Sequence, residues 1–136
     1  MKKIYTIGVV GLGYVGLPLA SELANFFNVY GYDTSKSRIN ELSNFFDRYE
    51  LLSKKDFVKK NEIKFTTDSS KLVNCNFFIV TVPTPVKKNN TPDLSYLKNA
   101  CSKIGVNLKK GSFVVFESTV YPGATREVCI PILEKY

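Results

Sequence analysis

The sequence predicts an α/β protein built on a doubly wound parallel sheet, and three observations support this fold class. Short apolar runs alternate with helical patterns along the 136 residues, as in βαβ units with right-handed crossovers. A glycine-rich stretch, GVVGLGYVGLPLA, joins the first apolar run to the first helical pattern. The runs FFIVTV and FVVF are apolar throughout, which is typical of strands covered on both faces.

Strands and helices follow one another in a regular order. The strands predicted from the apolar runs are residues 4–10, 29–32, 63–67, 77–82 and 113–116. The helices predicted between them are residues 14–26, 36–45, 54–60, 69–73, 94–108 and 124–135. Pro18 is compatible with the first helix because first-turn N–H groups have no helical partners. This order predicts a Rossmann-type sheet with strand order 3-2-1-4-5, whose sixth strand we expect to be missing from the chain.

The third predicted strand differs from the others because its pattern alternates. In IKFTT, Ile63 and Phe65 face one side, whereas Lys64 and Thr66 face the other. Such alternation indicates a half-exposed strand. The third strand is an edge in the order 3-2-1-4-5-6, so pattern and topology agree.

Composition indicates one globular domain over residues 1–136. Hydrophobic residues make up 44% and charged residues 23% of the chain, which is ordinary for a globular protein. The longest apolar runs are far shorter than the ~18 residues that span a bilayer, so we expect no membrane partner. The net charge is +7, but its lysines are scattered and only three arginines are present. A phosphate-binding face would be clustered, so we expect no nucleic-acid partner.

The three cysteines, Cys75, Cys101 and Cys129, are odd in number and widely spaced. This fits neither a disulfide framework nor a zinc site. We expect buried thiols in a cytoplasmic, reducing compartment, and no bound metal. The chain has no histidine to activate a thiolate, so none of them is expected to act as a nucleophile.

The glycine-rich stretch contains G-x-G-x-x-G after a strand and at the start of a helix, the context that predicts dinucleotide binding. Gly11 permits the tight turn, Gly13 lets the backbone approach a pyrophosphate, and Gly16 lets the helix pack close to the strand. The N–H groups and the dipole at the helix start then hold the phosphates.

Asp33 ends the second strand, 20 positions after Gly13. An acidic residue at this place is expected to bind the ribose hydroxyls of the adenosine. The alternative is a helix N-cap or a turn residue. Lys36 and Arg38 could accommodate the 2′-phosphate of NADP, but Asp33 would repel it, so NAD is favoured. Arg38 flanks the adenine or a phosphate, or else is a solvated helix residue.

Two later loops lie at the carboxyl ends of the fourth and fifth strands, where ligands bind in such sheets. TVPTPV contains Pro83, which stiffens the loop, and the hydroxyl of Thr84. ESTVYPG brings Glu117, Ser118 and Thr119 to the same edge. Ordinary turn chemistry with an N-capping hydroxyl is the alternative for both loops.

The sequence resembles the UDP-glucose/GDP-mannose dehydrogenase family. The resemblance rests on GVVGLGYVGLPLA, GYDTSKSRINEL, FFIVTVPTPV, PDLSYL and VVFESTVYPGATREVCIPILE. It covers nearly the whole chain and is greatest for the branch that acts on UDP-N-acetylhexosamines in surface-polysaccharide synthesis. It implies oxidation of a sugar C6 alcohol to a carboxylate with two NAD, through a cysteine-bound intermediate, in a homo-oligomer that binds a nucleotide sugar.

The resemblance also implies roles for individual residues. Tyr14 and Val15 would contact the pyrophosphate through their backbone, and Asp33 and Arg38 would contact the adenosine. Thr84 and Thr119, on the loops that also carry Pro83 and Ser118, would lie near the nicotinamide. Thr119 would help to position the catalytic water, which makes it the single catalytic candidate in this chain.

The chain departs from the family pattern in length. Family members have several hundred residues, and their cysteine nucleophile, catalytic lysine and asparagine follow the segment matched here. We therefore expect an N-terminal fragment of a longer dehydrogenase that is inactive alone. The alternatives are another nicotinamide-dependent dehydrogenase, acting on a 3-hydroxy acid or a sugar phosphate, and a stand-alone NAD-binding module without catalysis.

Overall fold

The computed structural model describes residues 5–59 and 63–136, and its centre is a five-stranded parallel sheet. The strands are β1 Thr6–Val10, β2 Asn28–Tyr32, β3 Lys64–Thr66, β4 Phe77–Val80 and β5 Phe113–Phe116. Their order is β3-β2-β1-β4-β5, and all neighbouring pairs are parallel. The predicted fold class and strand order are confirmed.

Helices connect the strands on both faces of the sheet. They are α1 Gly16–Leu23, α2 Lys36–Ser43, α3 Lys54–Lys59, α4 Ser95–Gly105 and α5 Ile130–Leu133. A 3-10 helix over Ser69–Asn74 precedes β4. The predicted helices agree in place with the observed ones. Most of them extend further at their ends, whereas the predicted helix over residues 69–73 ends one residue before the 3-10 helix does. Residues 4 and 60, which the predictions included, lie outside the described residues.

The closing helix is the element that differs most from its prediction. A single helix was expected over residues 124–135, but a π-helical turn occupies Thr125–Cys129 and α5 follows it. Pro131 lies at the start of α5. Proline has no N–H to donate and its ring crowds the carbonyl four residues earlier. The π-helical turn places the irregular hydrogen bonding just before this proline.

The core has two parts, one on each face of the sheet. One packs around Phe78, Leu97 and Ile104 and includes residues of α4 and α5. The other packs around Val9, Leu17 and Leu42 and includes residues of α1 and α2. β1 and β4 contribute to both parts, as expected of central strands in a doubly wound sheet.

The two outer strands are less buried than the central ones. β3 is half-exposed, as its alternating pattern predicts. The apolar pattern of FVVF is typical of a strand covered on both faces, but Phe113 is 51% exposed and the rest of β5 is half-buried. This exposure agrees with the predicted strand order, in which β5 is the last strand of the sheet. The physical reason is position: among the described residues, β5 pairs with β4 alone.

Candidate functional site

Two neighbouring cavities open at the carboxyl edge of the sheet. The Asp33 cavity, of ≈ 360 Å³, extends from Asp33 to α4. The Thr119 cavity, of ≈ 400 Å³, extends from the glycine turn, residues 11–16, to Thr119 in the loop after β5. The residues that line both are Gly13, Thr81, Val82 and Pro83. Because they share these walls, the cavities form two halves of one elongated cleft.

The glycine turn has the geometry that its spacing predicts. Gly11 has a φ of +99°, a left-handed conformation that favours glycine. A Cβ at Gly16 would overlap the Gly11 carbonyl oxygen and lie 2.5 Å from the Thr81 hydroxyl oxygen. A Cβ at Gly13 would meet no atom within 4 Å. The turn itself therefore requires Gly11 and Gly16, whereas Gly13 leaves open space for a ligand.

The peptide N–H groups just before α1 are available to an anion. Within the described part of the chain, no backbone carbonyl accepts a hydrogen bond from the amides of Gly13, Tyr14 or Val15. No side chain caps α1. Such N–H groups at a helix start bind phosphate groups. Tyr14 and Val15 line the Thr119 cavity, so this cradle fits the pyrophosphate of a dinucleotide.

Asp33 connects the end of β2 to the glycine turn. Its Oδ2 accepts the Leu12 N–H at 2.9 Å and its Oδ1 accepts the Ser35 N–H at 2.9 Å. Ser35 caps α2 by accepting the Arg38 N–H, so Asp33 is a turn residue and not the N-cap. Each carboxylate oxygen can accept a further hydrogen bond in the Asp33 cavity. The Asp33 carboxylate can therefore stabilise the turn and bind a ligand at the same time.

Arg38 is buried, with 5% of its surface exposed, so the alternative of a solvated helix residue is wrong. Its Nε donates to the Leu12 carbonyl oxygen at 2.9 Å, and its Nη1 donates to Asp47 Oδ1 at 2.7 Å. Its buried Nη2 has no partner among the described residues. Arg38 is not among the described residues that line either cavity. Its contact with the adenosine stays a prediction.

The loops after β4 and β5 are hydrogen-bonded to each other across the cleft. The Thr84 hydroxyl donates to the Thr119 carbonyl oxygen, and the Ser118 hydroxyl donates to the Val82 carbonyl oxygen at 2.6 Å. Pro83, Thr84, Ser118 and Thr119 all line the Thr119 cavity. The structure thus brings the predicted residues of both loops together, with hydroxyls that bond between loops rather than to helix ends.

The structure adds residues that the sequence does not single out. Tyr96, Asn99 and Lys103 of α4 line the Asp33 cavity. Their spacing of three and four residues places them on one face of α4, and this periodicity is the signal that could have found them. Tyr49 lines the Thr119 cavity. No local pattern marks it, because tertiary contacts determine where it lies.

The three cysteines are buried free thiols, as predicted. Burial raises the pKa of Cys75 to about 12. Burial, assisted by neighbouring Cys129, raises the pKa of Cys101 to about 12. Burial also raises the pKa of Cys129. Since the thiolate is the nucleophile, these environments make all three thiols unreactive.

Among residues 5–59 and 63–136, no group of His, Cys, Asp and Glu side chains could hold a metal ion. No helix in the same ranges is both long and apolar enough to cross a membrane.

A parallel sheet that carries a glycine turn, an acidic residue after β2 and hydroxyl-bearing loops at the same edge defines a dinucleotide-binding domain. The model of the UDP-glucose/GDP-mannose dehydrogenase family, NAD binding domain, matches residues 5–136. The chain belongs to this family as its NAD-binding domain, and NAD is the cofactor. The resemblance inferred from the sequence is confirmed.

Similar proteins agree with this assignment. The chain is 48% identical to a UDP-N-acetyl-D-glucosamine 6-dehydrogenase of Pseudomonas aeruginosa, over 98% of this chain and 32% of that protein. It is 46% identical to Protein CapL of Staphylococcus aureus, over 96% and 30%. A crystal structure of a ternary complex of GDP-mannose dehydrogenase from Pseudomonas aeruginosa superposes with a TM-score of 0.87 at 30% identity, over 95% and 32%. The chain thus spans about a third of the length of these relatives.

Proposed function

We propose that this domain serves a nucleotide-sugar 6-dehydrogenase that oxidises the C6 alcohol of a UDP-N-acetylhexosamine to the uronic acid, for surface-polysaccharide synthesis. The observation that carries the proposal is the continuous cleft, with Asp33 at one end and the Thr84 and Thr119 loops at the other. The 48% identity to a UDP-N-acetyl-D-glucosamine 6-dehydrogenase supports the sugar class.

The residues of the Asp33 cavity bind the adenosine half of the cofactor. The Asp33 carboxylate accepts hydrogen bonds from a ribose diol and repels a 2′-phosphate, so NAD binds in preference to NADP. The free amides of Tyr14 and Val15 donate to the pyrophosphate, which approaches over Gly13, where there is open space. These contacts orient the dinucleotide along the cleft toward the Thr119 cavity.

The residues of the Thr119 cavity position the reacting end. The chemistry that NAD supplies when bound is acceptance of a hydride from the substrate carbon. The hydrogen bonds from Thr84 and Ser118 across the cleft hold the two loops at a constant separation. Thr119 orients a water for the second oxidation, and its exposed position in the lining of this cavity supports this role. The full reaction converts the alcohol, one water and two NAD to the carboxylate, two NADH and three protons.

The test uses the full-length protein that carries this domain. NADH absorbance is followed with UDP-N-acetylglucosamine, UDP-N-acetylgalactosamine and UDP-glucose as substrates. We expect NADH with an N-acetylhexosamine substrate, a strong loss of rate in Thr119→Val, and recovery in Thr119→Ser, which restores the hydroxyl. NADH formation with a 3-hydroxy acid or a sugar phosphate, and with none of the three nucleotide sugars, would replace this proposal with the alternative dehydrogenase.

The 136-residue chain is expected to bind NAD without turning it over. The observation behind this expectation is that its three thiols are buried and their pKa values are raised, so they supply no nucleophile. NADH absorbance with the same nucleotide sugars tests it, with the full-length protein as the positive control. NADH production by the purified chain, lost in Thr119→Ala, would contradict it.

We further propose that the parent protein is cytoplasmic and homo-oligomeric. The free thiols of all three cysteines support a reducing compartment. The exposed edge of β5 offers a surface for association.

A further inference from the structure

A buried ion pair connects the glycine turn to the loop over residues 47–52. Arg38 and Asp47 have side-chain exposures of 5% and 0%, and Arg38 Nη1 lies 2.7 Å from Asp47 Oδ1. Arg38 Nε also donates to the carbonyl oxygen of Leu12, inside the glycine turn. The pair therefore holds the turn and the loop in a defined relation.

Asp47 organises the loop that follows it. Its Oδ1 also accepts the Tyr49 N–H at 3.2 Å. Its Oδ2 accepts the Leu51 N–H at 2.8 Å and the Leu52 N–H at 3.1 Å. Glu50, at the tip, has a φ of +53°, a conformation that non-glycine residues seldom adopt without support. One buried carboxylate thus determines the path of the loop.

Tyr49 is the side chain that this loop presents to the cleft. The Arg38 guanidinium carbon lies 4.7 Å from the centroid of the Tyr49 ring. The Tyr49 ring also contacts the Tyr14 ring, with the two ring centroids 4.6 Å apart and an interplanar angle of 34°. Both tyrosines line the Thr119 cavity, and neither lines the Asp33 cavity among the described residues.

We propose that Tyr49 is a further cofactor-positioning residue, whose ring forms a wall for the nicotinamide half of the dinucleotide. The Arg38–Asp47 pair acts through Tyr49, by holding the ring against Tyr14. This proposal rests on NAD binding in the cleft, as set out above. Aromatic rings at a cavity wall exclude water and provide contact area at a low entropy cost.

The alternative explanation of the aromatic pair is surface packing without a ligand. Tyr14 is 68% exposed and Tyr49 is 39% exposed, so both residues keep surface that a ligand can reach. The ion pair that holds Tyr49 is almost fully buried. A costly buried pair that supports an exposed ring is better explained by a ligand-facing role than by stability.

The experiment compares NAD with AMP, which carries only the adenosine half, by calorimetric titration of the 136-residue chain. We expect Tyr49→Ala to raise the Kd for NAD about tenfold, which corresponds to about 1.4 kcal/mol, and to leave the Kd for AMP within about twofold. Tyr49→Phe, which keeps the ring, is expected to bind NAD like the wild type. Phe46→Ala is the matched control, because Phe46 is an exposed aromatic residue outside the described lining of both cavities.

A double-mutant cycle tests whether the ion pair acts through Tyr49. Asp47→Asn is expected to weaken NAD binding in the wild-type background and to have no further effect in the Tyr49→Ala background. Arg38→Lys, which loses the planar fork, serves as the second variant if Asp47→Asn fails to fold by circular dichroism. If the increases in the Kd for NAD that the two single substitutions cause multiply in the double variant, the ion pair does not act through Tyr49.

The outcomes separate this proposal from the cofactor assignment. Unchanged NAD binding by Tyr49→Ala, or equal weakening of NAD and AMP, would overturn the role of Tyr49 while the wild-type chain still binds NAD. Failure of the wild-type chain to bind NAD at all would instead overturn the cleft as the cofactor site.

Discussion

Asp33 shows how one carboxylate can serve both the fold and the ligand. Both of its oxygens accept backbone N–H groups, from Leu12 and Ser35, and the side chain still lines the cavity. The backbone hydrogen bonds hold the carboxylate in one orientation, so in the proposed complex a ribose diol would meet a preorganised acceptor. A 2′-phosphate would meet the same negative charge at short range.

We predict that Asp33 determines the preference for NAD over NADP. Asp33→Ala should raise the Kd for NAD about 10- to 100-fold, because hydrogen bonds to a charged group contribute about 1.5–3 kcal/mol. The same substitution should reduce the difference between the Kd values for NAD and NADP. Asp33→Asn is the second variant, because it removes the charge and keeps one acceptor oxygen, although its NH2 group cannot accept the second backbone N–H. Calorimetric titration of both cofactors is the measurement. Wild-type binding of NADP that equals or exceeds that of NAD would contradict the prediction.

Asp47 and Arg38 form the most buried ion pair among the described residues. Burial opposes the charged form of Asp47, but hydrogen bonds from Arg38 and from backbone amides outweigh it and lower the pKa of the carboxyl. A carboxyl with a lowered pKa in the folded state contributes stability above its unfolded pKa of ~3.9. That contribution is lost as the pH falls through the folded-state pKa.

We predict that Asp47→Asn lowers the free energy of unfolding by up to about 3–5 kcal/mol at neutral pH. The reason is that the buried Arg38 charge loses its 2.7 Å partner and keeps only the Glu41 carboxylate, 3.6 Å from Nη1. The difference between wild type and variant should begin to shrink as the pH falls below the unfolded pKa of ~3.9, where the unfolded carboxyl binds a proton. It should be smallest below the lowered folded-state pKa, where the folded carboxyl is also neutral. Urea unfolding at a series of pH values measures this. A difference that is independent of pH would show that the charge of Asp47 is not the cause.

At the scale of elements, the junction of β1 and α1 contains one glycine that packs tightly and one that faces open space. Gly16 packs against the Gly11 carbonyl and Thr81, whereas Gly13 faces open space. The two glycines belong to the same motif, yet the surroundings of each are different. A substitution at one should therefore affect stability, and a substitution at the other should affect the ligand.

We predict that alanine affects stability at one of these two positions and NAD binding at the other. Gly16→Ala should lower the free energy of unfolding by about 1–3 kcal/mol through overpacking. Gly13→Ala should change it by less than about 0.5 kcal/mol, yet weaken NAD strongly, because the new methyl group occupies the space of the pyrophosphate. Thermal unfolding and NAD titration of both variants are the measurements. Wild-type affinity in folded Gly13→Ala would show that the pyrophosphate does not pass over this residue.

At the scale of the whole molecule, β5 is an apolar edge strand of the described sheet. It has one neighbour in the sheet, and its Phe113 is half-exposed beside Phe77, with ring centroids 5.7 Å apart. An apolar edge strand with unpaired N–H and C=O groups invites pairing with another chain.

We predict that the 136-residue chain forms dimers or larger species through this edge. Light scattering over a range of concentrations should show mass above that of the monomer, and Phe113→Lys should reduce it, because an edge lysine opposes strand pairing. Phe26→Lys is the matched control, since Phe26 is 68% exposed and lies outside the sheet. A monomer at high concentration would contradict the prediction.

The sequence by itself determined the fold class, the strand order and the glycine turn. These features depend on local signals: apolar runs, helical periodicity, and the G-x-G-x-x-G spacing between a strand and a helix. It also placed Asp33 and the two hydroxyl-bearing loops at the cleft, because the carboxyl ends of parallel strands meet at one edge. The prediction of a dinucleotide cofactor therefore follows from the glycine turn and from Asp33, which are close together in the sequence.

Only the tertiary structure decided which side chains complete the cleft. In the sequence, Arg38 is a charged residue within a predicted helix. Its burial against Asp47 depends on a loop that no periodic pattern predicts. Tyr49 lies in the Thr119 cavity because that ion pair and Tyr14 hold it there. The physical reason is that hydrogen bonds and ring contacts between separate elements depend on how the elements pack. Strand and helix patterns depend only on residues that are close in the sequence.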